Sequence, residues 1–99
     1  MKLRYPVELT RDIEIGGFTT QVKDIPSAYS EGDFREEALA MTLSVLLDVL
    51  RFNYFERNCP VPIPFFDDGS DKYSDYVEIP EDISAKIHAF NARFEGMAL

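Results

Sequence analysis

The first ten residues alternate. Leu3, Tyr5, Val7 and Leu9 fall on one side of an extended chain, with Lys2, Arg4, Pro6, Glu8 and Thr10 on the other. A period of two with one apolar side is the pattern of a half-buried β-strand. Pro6 has no N–H, which places the strand at a sheet edge, at a bulge, or with that backbone position facing solvent. Residues 11–16 read as a hairpin connection, and Gly16-Gly17 gives the backbone freedom to enter a second strand over about 17–24. Phe18, Thr20 and Val22 form its inner side, and Ile25-Pro26 stops it. A short third strand is predicted over 28–31.

The period then changes. From Ala38 the apolar positions Ala38, Met41, Val45, Val49 and Phe52 recur at helical spacing, and Leu39, Leu43, Leu46 and Leu50 lie beside them. Only Ser44, Asp48 and Arg51 form a polar stripe, so the helix is apolar on two sides. One side covers a sheet; the other is left for a second copy or another segment. Its start is marked by Asp33 as N-cap and Glu36 three residues on, a capping-box pattern, with Gly32 making the corner before it. Glu36 and Glu37 also suit the positive end of the helix dipole.

PVPIPF at 60–65 carries a constraint of its own. Successive amides of an extended chain point to opposite sides, so prolines at 60, 62 and 64 strip the donors from one side. The segment can pair on one edge only or lie as polyproline II on apolar surface; it is no interior strand. An acidic loop over 67–75 turns at Gly69-Ser70. Residues 76–79 form a last strand, and Pro80-Glu81-Asp82 starts a helix whose apolar side is Ile83, Ile87, Phe90 and Phe94, ended by Gly96. The order β-β-β-α-β followed by a C-terminal helix predicts an α+β fold: a small antiparallel sheet with a long helix packed on it.

Ninety-nine residues make one compact unit, and 45% hydrophobic with 13% aromatic residues is the composition of a folded chain. The single cysteine, Cys59, excludes an internal disulfide and suits a reducing compartment, so a cytoplasmic location is expected. The N-terminus MKLRYPVELT lacks the apolar core of a signal peptide, and Ser44 and Asp48 interrupt the longest apolar stretch, so no membrane span is expected. The net charge of −8 gathers between Asp67 and Asp82, where seven carboxylates face only Lys72. Such a surface repels nucleic acid and suits a basic partner, although an isolated acidic run also serves simply as a solvated loop.

Chemistry has little to build from. His88 and Cys59 are the only residues of their kinds and fall on different elements, so neither a zinc site nor a Cys–His nucleophile is assembled. His88 reads as a surface position and Cys59 as a helix-end hydrophobe. Gly16-Gly17 has neither the spacing nor the following helix of a phosphate loop. A metal-dependent nuclease would need acids converging from separate elements, the candidates being Glu8, Glu37, Asp48, Asp75 and Glu78. These sit on exposed or capping positions, so no enzyme, cofactor or metal site is expected.

YPVEL at 5–9, GGF at 16–18 and above all DIPSAYSEGDFREEALA at 24–40 resemble the HicB family of antitoxins, and PVPIP at 60–64 and YVEIP at 76–80 fall where that family places them. Residues 81–94 are similar to the helix that leads into the DNA-binding segment of longer members. The resemblance implies a partly degraded ribonuclease-H-like fold without the parent's catalytic acids. It divides the chain into a toxin-masking domain at 1–79 and a C-terminal helix at 80–99, the remnant or start of a DNA-binding segment. It implies an antitoxin that binds and masks a small basic HicA-type RNA-cleaving toxin, with operator DNA as a partner only if the native C-terminus is longer. Tyr29, Glu31, Asp67 and Asp68 are the expected toxin contacts, chosen as an aromatic anchor and acids near a strand edge; for Tyr29 plain core packing is the even alternative. Self-association through the second apolar side of the long helix or through 76–79 is also expected. The other readings are an orphan homo-oligomeric regulatory module without a toxin and a residual metal-dependent nuclease.

Overall fold

The computed structural model describes residues 2–64 and 75–95. Four strands, β1 (Arg4–Arg11), β2 (Phe18–Val22), β3 (Tyr29–Gly32) and β4 (Asp75–Glu78), form one antiparallel sheet in the order β3-β2-β1-β4. Helix α1 (Arg35–Val49) crosses one face of it, and α2 (Glu81–Ala92) follows β4. The fold is α+β, with the expected order of elements.

The alternation in β1 holds at its start: Leu3, Tyr5 and Val7 are buried in one core with Val22, Ile25, Ala28, Val77 and Ile79, but Leu9 is only half-buried and Pro6, read on the polar side, is buried too. Its place in the sheet corrects one expectation. β1 is an inner strand despite Pro6, pairing with β4 through Arg4–Val7 and with β2 through Val7–Arg11. The β1–β2 register starts at Val7↔Val22, and the Pro6 carbonyl accepts the Lys23 N–H at 3.0 Å. The missing donor thus falls at the very end of the ladder, where an inner strand tolerates it.

Helix α1 starts one residue later than its sequence punctuation indicates. The N-cap is Phe34, which makes no side-chain capping bond, and Glu37, not Glu36, reaches back to accept the Asp33 N–H at 2.9 Å. The back-bond resembles that of a capping box but ends on the residue before the N-cap. Gly32 serves a different purpose from the expected corner. A Cβ there would lie 2.7 Å from the Ala38 nitrogen and 2.9 Å from its Cα, so the missing side chain is what lets α1 close on β3.

The inward stripe of α1 is Ala38, Thr42 and Leu46, continued by Leu50. It runs between the two apolar stripes read from the sequence, and Thr42 at its centre is polar. The Thr42 hydroxyl donates to the Ala38 carbonyl at 2.6 Å and meets the Thr20 hydroxyl of β2, which satisfies both groups in the core. Met41 and Phe52, read as part of one apolar side, are about half exposed.

Residues Leu50–Phe55 continue α1 as a π-helical turn, with the Glu56 N–H bonded to the Arg51 carbonyl. Asn58, at φ 57°, closes it, and Cys59 just beyond is exposed and free rather than packed as a hydrophobe. Together Arg35–Phe55 is 21 residues, long and apolar enough by length and composition alone to cross a membrane. That corrects the expectation that Ser44 and Asp48 would disqualify it, although core helices pass the same test and this one lies across the sheet.

The proline segment 60–64 joins no strand. It is clamped instead: the Asn91 side chain accepts from the Val61 N–H and donates to the Val61 carbonyl, both at 2.8 Å, and the Tyr5 hydroxyl donates to the Pro62 carbonyl at 2.8 Å. Ser84, buried in α2, accepts the Leu3 N–H at 3.0 Å and donates to the Ile79 carbonyl at 3.2 Å. Ile87 enters the core, and Phe90 meets Phe55 edge to face at 4.9 Å.

Candidate partner-binding site

Strand β3 ends the sheet, and its geometry decides what it offers. The Val22 N–H bonds to the Ala28 carbonyl at 2.9 Å, so residues 28, 30 and 32 aim their backbone groups at β2. By alternation, the N–H and C=O of Tyr29 and Glu31 point away from the sheet. Their side chains stand on the face opposite α1, because their partners Gln21 and Thr19 do so too, while Thr20 and Val22 are buried. Tyr29 is 66% exposed and Glu31 is exposed, so the expected pair is brought together on one edge and Tyr29 takes no part in the core. Asp67 and Asp68 lie outside the described residues.

Next to Glu31 the β1–β2 connection and the start of α1 border an open cleft of about 390 Å³. Its lining includes four acids, Asp12, Glu31, Asp33 and Glu37, and no basic side chain. Two of the four already have local work. Asp12 accepts from the Glu14 and Ile15 amides at 3.0 and 3.2 Å, folding the turn that Gly16 and Gly17 complete at φ 78° and 85°, and Glu37 holds the Asp33 amide. Ile15, 86% exposed, lines the same cleft, and Ile13 and Phe34, next in the chain to its lining residues Asp12 and Asp33, are 88% and 68% exposed. Sequence reading missed this group. The signal was present, since Ile13 and Ile15 sit in a turn of acids and glycines with no strand period to carry them to a core.

The acids considered for a nuclease are dispersed. Glu8 pairs with Lys23 at 3.7 Å, Glu78 with Lys2 at 3.5 Å, Asp75 with Arg35, and Asp48 is exposed on α1. Among the described residues no group of three or more His, Cys, Asp or Glu is disposed to hold a metal ion. Among the described residues the strongly displaced titration is that of Tyr5: burial, then the nearby Asp24 and Tyr54, push its phenol far above the usual tyrosine range. It is a core hydrogen-bond donor, remote in role from the edge.

What the fold and the cleft define is a small α+β domain that presents an acidic, apolar-rimmed sheet edge to its surroundings. Residues 4–88 match the family described as a HicB_like antitoxin of bacterial toxin-antitoxin system, and the chain belongs to that family. It is 40% identical over 90 residues to "Antitoxin HicB 1" of Photorhabdus laumondii, a match covering 91% of this chain and 54% of that protein. It is 33% identical over 90 residues to "Antitoxin HicB" of Escherichia coli K12, covering 91% of this chain and 62% of that one. The chain thus spans between about half and two thirds of the curated relatives it matches.

Proposed function

We propose that this protein is an antitoxin that binds a small basic HicA-type RNA-cleaving toxin and neutralises it by covering it. The observation that carries this reading is the combination at the β3 end: a strand side that no described segment pairs with, four acids without a basic neighbour in the cleft lining, and the exposed side chains of Tyr29 on the strand and of Ile13, Ile15 and Phe34 in the adjoining turns. Acidic potential steers a basic protein in and raises its association rate, while the apolar side chains hold it. The role is that of a binding protein in the cytoplasm. Asp67 and Asp68, outside the described residues, belong to this reading as acids available to a basic partner. The order β-β-β-α-β supports descent from a ribonuclease-H-like domain reduced to binding. The division into 1–79 and 80–99 belongs to the same reading, with the second part leading into DNA-binding sequence in a longer chain.

Co-expression with a HicA-type toxin tests it. The toxin is expected to co-purify with this chain and growth inhibition to be relieved. Persistent toxicity with no complex sinks the reading. A second reading, a homo-oligomeric module without a toxin, draws on the exposed Met41 of α1, with Phe34 just before it and Phe52 in the turn that follows. It requires concentration-dependent self-association in light scattering together with no binding to the toxin.

A further inference from the structure

We infer that the outer side of β3 is completed by an extended strand of the basic partner, which adds a fifth strand to the sheet beside Tyr29 and Glu31. The inference rests on the antitoxin reading and specifies how the partner is held. Backbone groups dictate the mode. The N–H and C=O of Tyr29 and Glu31 point outward from a terminal strand, no described segment pairs with that side, and neither proline nor lysine guards it. Such an edge accepts an extended peptide through main-chain bonds, while side chains at alternate positions select which peptide.

Charge decides the occupant. Glu31 stands on the open face beside the cleft lined by Asp12, Asp33 and Glu37, and no basic side chain lines that cleft. A second copy of this chain pairing along β3 would bring its own Glu31, on a strand of four residues, and Asp33 just past that strand's end to within roughly a Debye length of about 8–10 Å of their counterparts. Like charges so placed oppose homotypic pairing. A strand carrying Lys or Arg opposite Glu31 gains instead, and an apolar residue opposite Tyr29 covers the exposed ring. Ile15 and Phe34 flank the far end of this strand and extend the apolar contact.

Backbone pairing and charge are separable by experiment. Glu31→Pro removes an outward donor that the chain's own ladder does not use, whereas Glu31→Gln removes the charge alone. Hydrogen exchange of the full chain, free and in complex with a HicA-type toxin, is measured alongside the affinities of both variants. Binding is expected to slow exchange at the Tyr29 and Glu31 amides by at least about tenfold, with Ser30 protected in both states. Glu31→Gln is expected to weaken binding by about three- to fivefold and Glu31→Pro by about tenfold or more, the cost of a charge contact and then of a main-chain bond as well. A complex that forms with Tyr29 and Glu31 exchanging as fast as in the free chain overturns strand addition but leaves the antitoxin reading intact. Failure of the wild-type chain to bind the toxin overturns both. The exchange measurement needs no variant, so it decides the matter even if Glu31→Pro does not fold.

Discussion

The two ends of this sheet are built on opposite principles. Where β1 begins and β4 ends, the polar groups near the core are matched: Ser84 bridges Leu3 and Ile79, Asn91 clamps Val61 from both sides, and Tyr5 holds Pro62. At the β3 end the large apolar side chains Ile13, Ile15, Tyr29 and Phe34 face solvent among carboxylates. One end uses its polar residues to close itself; the other leaves apolar side chains in solvent and engages only two of its four acids, Asp12 and Glu37, in local bonds. The lesson is that exposure here is local rather than a sign of loose packing, since no buried side-chain nitrogen or oxygen among the described residues lacks a partner.

The comparison breaks most visibly at the closed end. Asn91→Ala strands the Val61 N–H and C=O together, and a loss of about 2–3 kcal/mol is expected in denaturant unfolding. A change below about 0.5 kcal/mol would show that the clamp does not hold the proline segment in solution.

Gly32→Ala tests the boundary between the ends. Although it lies beside the open cleft, its added methyl meets the Ala38 backbone, which cannot swing aside, so a loss of about 1–3 kcal/mol is expected. This position should therefore behave as interior, unlike its neighbours Glu31 and Asp33.

Tyr5→Phe removes one hydrogen bond and is expected to cost about 1 kcal/mol at neutral pH. Its larger signature is in alkali. The folded-state titration of Tyr5 is raised, so below about pH 10 the phenol is neutral in both states and its contribution is complete. Above that the unfolded phenol ionises while the folded one stays protonated, and stability falls as pH rises. Melting temperatures of the wild type should drop more steeply than those of Tyr5→Phe beyond pH 10; parallel curves would remove Tyr5 from the account.

The smallest effect on stability is expected at the open end. Ile15→Ser and Phe34→Ser should each change unfolding free energy by less than about 0.5 kcal/mol, while weakening toxin capture in a titration. Substantial destabilisation by either would mean that these side chains pack within the protein, and the contrast between the ends would fail.

What the sequence made legible follows from period. Alternation located β1 and β2, and 3.6-residue spacing located both helices, because each element must bury one apolar side. Hydropathy is blind to the polar residues that finish the job. Thr42, Ser84 and Asn91 score as surface residues, yet the first two are buried and all three bond backbone or hydroxyl groups of other elements or turns. The start of α1 was misplaced for a similar reason: DFRE carries the letters of a capping box, but closure of α1 on Gly32 moves the cap to Phe34 and the carboxylate bond to Glu37. At the edge, Tyr29 and Glu31 could be named from residue type and a predicted strand. The acids and isoleucines of the β1–β2 turn join them only through the pairing of β2 with β3, a long-range fact that no local pattern encodes.

The π-helical turn at Leu50–Phe55 has a consequence of phase. An α-helix advances about 100° per residue, and a π turn takes up an extra residue without lengthening the path to match. Side chains beyond it are rotated backward relative to the helix that precedes them. That rotation lets the Ala38-Thr42-Leu46-Leu50 stripe face the sheet while Phe55 turns to meet Phe90 of α2. The spacing of this turn is as binding as its composition: deleting Asn53 would keep every apolar group and still dial Phe55 away from its partner.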